Sequence, residues 1–219
     1  MKTKSSGFTL VELAIVLVII SLLMGGILKG QELINSAKVK NLANDFRAVS
    51  AAYYGYLDRF RAVPGDDKAA TTHVGASKEG DGDGMIEGAW NATYNSEGSA
   101  QSESYIFWEH VRRAGLLSGS TSTNTTSYLP DNANGGRIGI TGMNAATAGV
   151  GPITDSGYKA TFFVCSGNIN GRLAKQLDTM LDDGETSAGS MRAAKTEESS
   201  SVTTANMNDA DLHTVCVAN

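Results

Sequence analysis

Positions 8 to 28 read FTLVELAIVLVIISLLMGGIL, 21 residues with a single charge, Glu12. At about 1.5 Å rise per residue, a helix of that length covers about 30 Å, enough to cross the hydrocarbon core of a bilayer. The seven residues before it, MKTKSSG, are short and basic. Basic flanks stay on the cytoplasmic side, so the bulk of the chain lies beyond the inner face. A secretory signal peptide also joins a basic start to an apolar run, but its cleavage site follows the run and carries small residues. Here the run passes into KGQELINSAK, which holds no such site. On hydropathy alone, a plain signal anchor fits equally well.

Glu12 adds what hydropathy lacks. A carboxylate deep in a membrane helix costs several kcal/mol, and such residues are functional by default. It follows Phe8 by four residues, one helical turn. A cut before Phe8 would place a free ammonium near this carboxylate. Within one chain the pairing is awkward, because the amine sits at the helix terminus. Between staggered neighbours it is natural: the amine of one subunit meets Glu12 of the next, and the buried charge drives assembly.

The run G-F-T-L-V-E, Gly7 to Glu12, resembles the leader-processing motif of type IV prepilins and of the pseudopilins of type II secretion. In that family a membrane peptidase cuts after the glycine and methylates the new N-terminal phenylalanine, and the glutamate is needed for assembly. The resemblance implies Gly7 as the cleavage residue, Phe8 as the methylated N-terminus and Glu12 as the assembly carboxylate. One departure stands out. Many family members carry a helix-kinking proline about two-thirds along the apolar segment, where this chain has Lys29, flanked by Gly25, Gly26 and Gly30. Each glycine lowers helix stability by about 1 kcal/mol, which leaves a soft stretch; the same glycines also allow close helix packing. Lys29 is placed to snorkel to the outer interface.

The helix is expected to continue. Val39, Leu42, Phe46, Val49, Tyr53, Tyr56 and Phe60 fall at steps of three and four, with Lys38, Lys40, Asp45, Arg47, Asp58 and Arg59 between them. That is an amphipathic stripe, read as packing on a globular domain. Pro64 disfavours helix at Val63 and ends the unit after about fifty residues, far above the usual mean.

The rest reads as α+β. Gly65 to Glu103 is a long excursion rich in Gly, Asp, Asn and Ser. Ser104 to Leu117 predicts a helix capped by Ser104 and ended near Gly115. Ser118 to Ser127 is a solvated loop. Weak strands are expected at Arg137 to Thr141 and Lys159 to Cys165. A helix is expected over Asn170 to Gly184, with Leu173, Leu177 and Leu181 on one face. Short strands follow at Ser190 to Ala193 and His213 to Val217. The expected fold is a long N-terminal helix packed against a small antiparallel sheet, as in pilins. The expected division is a leader over 1–7, a transmembrane assembly helix over 8–28, its amphipathic continuation over 29–63 and a globular head over 64–219.

Cys165 and Cys216 are the two cysteines. In an exported chain an even count reads as a disulfide; in a cytosolic chain the pair would be ordinary thiols. A bridge would close a loop of about 50 residues, to which the chain-entropy model gives about 4 kcal/mol. Family members often have such a C-terminal disulfide loop, and the resemblance supports one here.

GDGDGMIEG, Gly80 to Gly88, brings Asp81, Asp83 and Glu87 close together in sequence. Oxygen ligands at alternate positions suit Ca²⁺. The stretch resembles the centre of an EF-hand loop, with Glu79 in the first position and Trp90 in place of the bidentate glutamate. Asp66 and Asp67 would add ligands if the excursion folds back. The alternative is a polar turn in which Asp and Gly do turn chemistry.

Nothing points to catalysis. His73, His110 and His213 are far apart and sit in no motif, and neither H-E-x-x-H, G-x-S-x-G nor a phosphate-binding glycine loop is present. Asp182-Asp183 before Gly184 reads as a helix end. Asn91-Ala92-Thr93 and Asn124-Thr125-Thr126 match glycosylation sequons, a weak signal in loops this polar. The net charge is −5, and without Lys2 and Lys4 the balance is 16 basic against 23 acidic residues. Such a surface repels nucleic acid. The expectation is a filament subunit serving adhesion, motility or surface contact. A secretion pseudopilin is the alternative, followed by a membrane-tethered domain that never polymerises. Partners would be copies of itself, other pilin-like subunits, the prepilin peptidase and inner-membrane assembly machinery. The chain would sit in the inner membrane first, then in an extracellular pilus or a periplasmic pseudopilus.

Overall fold

The structure is a computed structural model; it describes residues 9–94, 101–125, 127–142, 153–155, 157–196 and 198–219. The chain divides into two compact units, residues up to Lys38 and Val39–Asn219. Helix α1 spans Leu10–Phe60 and runs through Gly25, Gly26 and Gly30 without interruption. In the first unit its apolar side chains are exposed, from 48% at Ile20 to 88% at Leu10. Lys29 pairs with Glu32 at 2.7 Å.

The second unit begins at the first residue of the apolar stripe. Val39, Leu42, Phe46, Val49, Tyr53 and Tyr56 are buried as the three-and-four spacing predicts, and Phe60 is half-buried against the core. The helix stops four residues before Pro64, earlier than expected. Arg61 adopts φ 56, a left-handed conformation in which its N–H bonds the Leu57 carbonyl at 2.9 Å, a C-terminal cap built without glycine.

Among its described residues the excursion holds one short helix, α2 (Ala70–Val74). Helix α3 spans Glu103–Arg113. Ser104 does not cap it. Ser104 lies in the first turn and its hydroxyl donates to the Ala89 carbonyl. Gly115 does end it, with φ 75 and its N–H on the Arg112 carbonyl. Ten successive residues of α3, Glu103 to Arg112, are buried, the charged Glu103, Glu109 and Arg112 among them.

Among the described residues four strands follow, β1 (Ile138–Gly142), β2 (Phe162–Asn170), β3 (Met191–Lys195) and β4 (Leu212–Ala218), with helix α4 (Gly171–Leu181) after β2. They form one antiparallel sheet in the order β1-β2-β4-β3. The fold is therefore α+β, a long helix with a small antiparallel sheet. β2 runs past Cys165, where the sequence reading ends it. A register shift between Ser166 and Ile169 absorbs Gly167 and Asn168, the latter at φ 60, and pairing with β4 resumes at Ile169. The Asn170 side chain caps α4 by accepting from the Leu173 N–H at 3.0 Å.

Successive side chains of a strand face opposite sides, and β2 shows what each side does. Phe162 and Val164 enter the main core with the α1 stripe, α3 and α4, where the Phe162 ring stacks on Tyr53 at 3.9 Å. Phe163 and Cys165 enter a smaller cluster with Ile153, Tyr158, Ala194 and Cys216.

Candidate functional site

Gly7 and Phe8 lie outside the described residues. Glu12 lies in the first turn of α1. Thr9 donates to its carboxylate twice, from the backbone N–H and from the hydroxyl, both at 2.8 Å. The Glu12 N–H in turn donates to the Thr9 hydroxyl at 3.3 Å. This is a reciprocal capping box, which satisfies orphan donors at a helix start. The T-x-x-E spacing was legible in the sequence and was missed there. Its consequence is that Glu12 is already oriented by its own chain, at the open end of a helix whose neighbouring side chains are apolar and exposed.

The two cysteines face each other as register partners on β2 and β4 and form a disulfide, with Cα atoms 4.1 Å apart. Both are buried. The bridge ties the C-terminal strand, an inner strand of the sheet, to its neighbour, and the Tyr158 hydroxyl closes over it by donating to the Cys216 carbonyl at 2.7 Å.

The acidic loop is assembled across long sequence distances. Asp66 is buried and accepts from three successive loop amides, Gly82 at 2.5 Å, Asp83 at 3.2 Å and Gly84 at 2.7 Å. Gly82 makes the wrap feasible, at φ 80 and with the Lys68 stem where a Cβ would sit. Glu103, also buried, accepts from Asp81 at 3.2 Å and Glu87 at 3.0 Å. Asp81 and Asp83 each accept from the amide two residues on, Asp83 and Met85 respectively, the turn chemistry of Asp.

One oxygen from each of Asp66, Asp81 and Glu103 lies within 4.8 Å of the others. Asp81 is thus joined by Asp66 and by Glu103, which the sequence reading passed over, and Asp83 and Glu87 are not in that group. Asp67 is engaged elsewhere, accepting from the Tyr56 hydroxyl and holding His73 Nδ1, each at 2.7 Å. Glu79 accepts from the Thr71 N–H. Trp90 packs against β1 and β2 at Gly139 and Gly167.

Burial pushes the Glu103 carboxyl up to about 7; the amides of Glu87 and Asp81 oppose this, and the charges of Asp66 and Asp81 add to it. Burial also raises Asp66, against its loop amides. Burial alone would raise Asp67, but the bonds from His73, Tyr56 and Ala69 outweigh it and hold that carboxyl below the usual range.

Helix α3 supplies most of the loop's anchors. Glu109 accepts from both the N–H and the hydroxyl of Ser77 at 2.8 Å and from Arg113 Nε at 2.7 Å. His110 accepts the Gly65 N–H on Nδ1 at 2.9 Å and faces the Lys78 carbonyl with Nε2 at 2.9 Å.

Residues 2–28 match the family described as the prokaryotic N-terminal methylation motif. No curated protein and no solved structure matches the chain. The motif points to a structural subunit, one that is processed by a prepilin peptidase and assembles with other pilin-like subunits, and its apolar helix fits membrane anchoring before assembly. Residues 2–28 thus carry the N-terminal signature of type IV pilin-like and pseudopilin proteins, and they precede an α+β fold of one long helix and a small antiparallel sheet.

Proposed function

We propose that the chain is a structural subunit of a type IV pilus-like filament, cut after Gly7, methylated on Phe8 and assembled through α1. The observation that carries this reading is the match over residues 2–28 together with a helix whose apolar side chains up to Leu28 are exposed around a single carboxylate, Glu12. Outside a membrane or a filament such a face would stay in contact with water at about 25 cal/mol per Å². In a filament the helices of neighbouring subunits cover it, and the Phe8 amine of one subunit meets Glu12 of the next.

The test replaces Glu12→Ala and follows both insertion and incorporation. Membrane insertion is expected to be unchanged, since removing a charge eases burial in lipid, and incorporation into sheared filaments is expected to be abolished. Normal assembly of that variant would overturn the mechanism. A processed chain that stays in the membrane fraction would instead favour a secretion pseudopilin.

The calcium expectation is carried forward onto Asp66, Asp81 and Glu103. Their carboxylates suit a hard cation, and a carboxylate oxygen that accepts one amide retains a lone pair for a ligand bond. Titration calorimetry on the detergent-solubilised full chain tests it, with binding expected at or below millimolar Ca²⁺. No heat at that concentration ends the idea and leaves the loop a hydrogen-bonded turn.

A further inference from the structure

We propose that His110 is a proton-operated clasp: as a neutral imidazole it holds residues 65–78 against α3, and its protonation releases them and remodels the surface that the loop presents.

The geometry fixes the chemistry. His110 is fully buried in the middle of α3. Its Nδ1 accepts a hydrogen bond from the Gly65 N–H, so that nitrogen carries no hydrogen of its own. Its Nε2 faces a carbonyl oxygen, that of Lys78, and must therefore be the protonated nitrogen. Only the neutral Nε2–H form satisfies both bonds. A second proton would set an N–H on Nδ1 directly against the Gly65 N–H and break the bond that begins the loop. Gly65 cannot back away within the closed loop, because it already lies against the backbone of α3, where an added Cβ would meet the Glu103 carbonyl at 2.7 Å. The clasp opens as a segment or not at all.

The groups around His110 bear on the cost of opening. Asp67 and Glu79 from the loop and Glu109 from α3 favour the charged imidazole, but burial outweighs them and holds His110 below its ordinary value of 6.5. Tyr56 of α1 stacks on the ring at 6.1 Å and spends its hydroxyl on Asp67. The sign follows. An open His110 binds a proton below pH 6.5 and a closed one does not, so the closed form loses stability as pH falls through that value. Glu103 of α3, raised by burial, works in the opposite direction on the same loop, whose Asp81 and Glu87 amides it accepts. A pH profile of the wild type alone would therefore mix the two.

The experiment separates them by ratio. Hydrogen exchange of residues 65–80 is measured by mass spectrometry between pH 7.5 and 5 on the detergent-solubilised full chain, in the wild type and in His110→Gln. The glutamine keeps one acceptor and one donor and has no proton to gain. After correction for intrinsic exchange, Glu103 cancels in the ratio of opening constants. That ratio is expected to be flat above pH 6.5 and to rise as pH falls below it, with about tenfold per pH unit as the one-proton ceiling. A ratio that stays flat throughout overturns the clasp. Should His110→Gln not fold, nitrogen NMR of the wild-type imidazole decides. Nδ1 should stay unprotonated while the 65–80 amides are protected. An ordinary titration near 6.5 with those amides still protected would overturn it equally.

Discussion

Glu12 is bonded within its own chain before any neighbour arrives, and this separates two roles that a single alanine would confound. Thr9 caps the helix and orients the carboxylate, whereas the charge itself would draw in the next subunit's amine. Thr9→Val keeps the charge and removes the hydroxyl bonds. It is expected to cost about 1 kcal/mol at the helix start and to slow incorporation without abolishing it, read as subunit yield in sheared filaments. Glu103 makes a second prediction. Its carboxyl is raised to about 7 from 4.5, so its contribution to stability is complete below pH 4.5 and is lost as pH rises through 7. Glu103→Gln should flatten that part of the melting-temperature profile, and Ca²⁺ should recover stability at pH 7 in the wild type. The cysteine pair was legible because a count of two specifies it. Glu103 and His110 were not. Glu103 meets amides 16 and 22 residues away and His110 one 45 residues away, and no local period records such pairings.

At the scale of elements, legibility followed how one-sided each environment is. The α1 stripe faces a core on one side, so its period showed in the sequence. Helix α3 is buried nearly all round, so existence was readable but its role as the loop's anchor was not. Strand β2 was cut short at Cys165, and the register shift that carries the strand through is set by β4, through the pairs Ser166–Val215 and Ile169–His213, 49 and 44 residues apart. The α1–sheet contact yields its own prediction. Tyr53 is buried and stacks on Phe162, so Tyr53→Ala should cost about 3–5 kcal/mol, as other large aromatic deletions do, visible as a lower denaturant midpoint. Tyr54 is half exposed, and Tyr54→Ala should cost far less.

Across the whole molecule, both edges of the sheet are covered by the chain itself. Gly142 donates to Ile86 and Thr141 to Gly88 along β1, while Val202 donates to Ala193 and Ser201 bridges Ala194 along β3. Covered edges block strand-to-strand joining, which fits the proposal that copies associate through the exposed apolar helix. The cover on β1 depends on Gly139, where an added Cβ would lie 1.7 Å from the Trp90 carbonyl oxygen. Gly139→Ala is expected to lower the melting temperature and to increase aggregation, since the 86–90 segment must lift away. Loss of the bridge in a Cys165→Ser, Cys216→Ser double variant should cost about 2–5 kcal/mol and leave membrane insertion intact. Processing followed by assembly shows in one mass spectrum: the N-terminal peptide of this chain taken from filaments sheared off the cell surface. The peptide is expected to begin at Phe8 and to carry one added methyl group. A chain that still begins at Met1, or one absent from the filaments and unprocessed in the membrane, would contradict it.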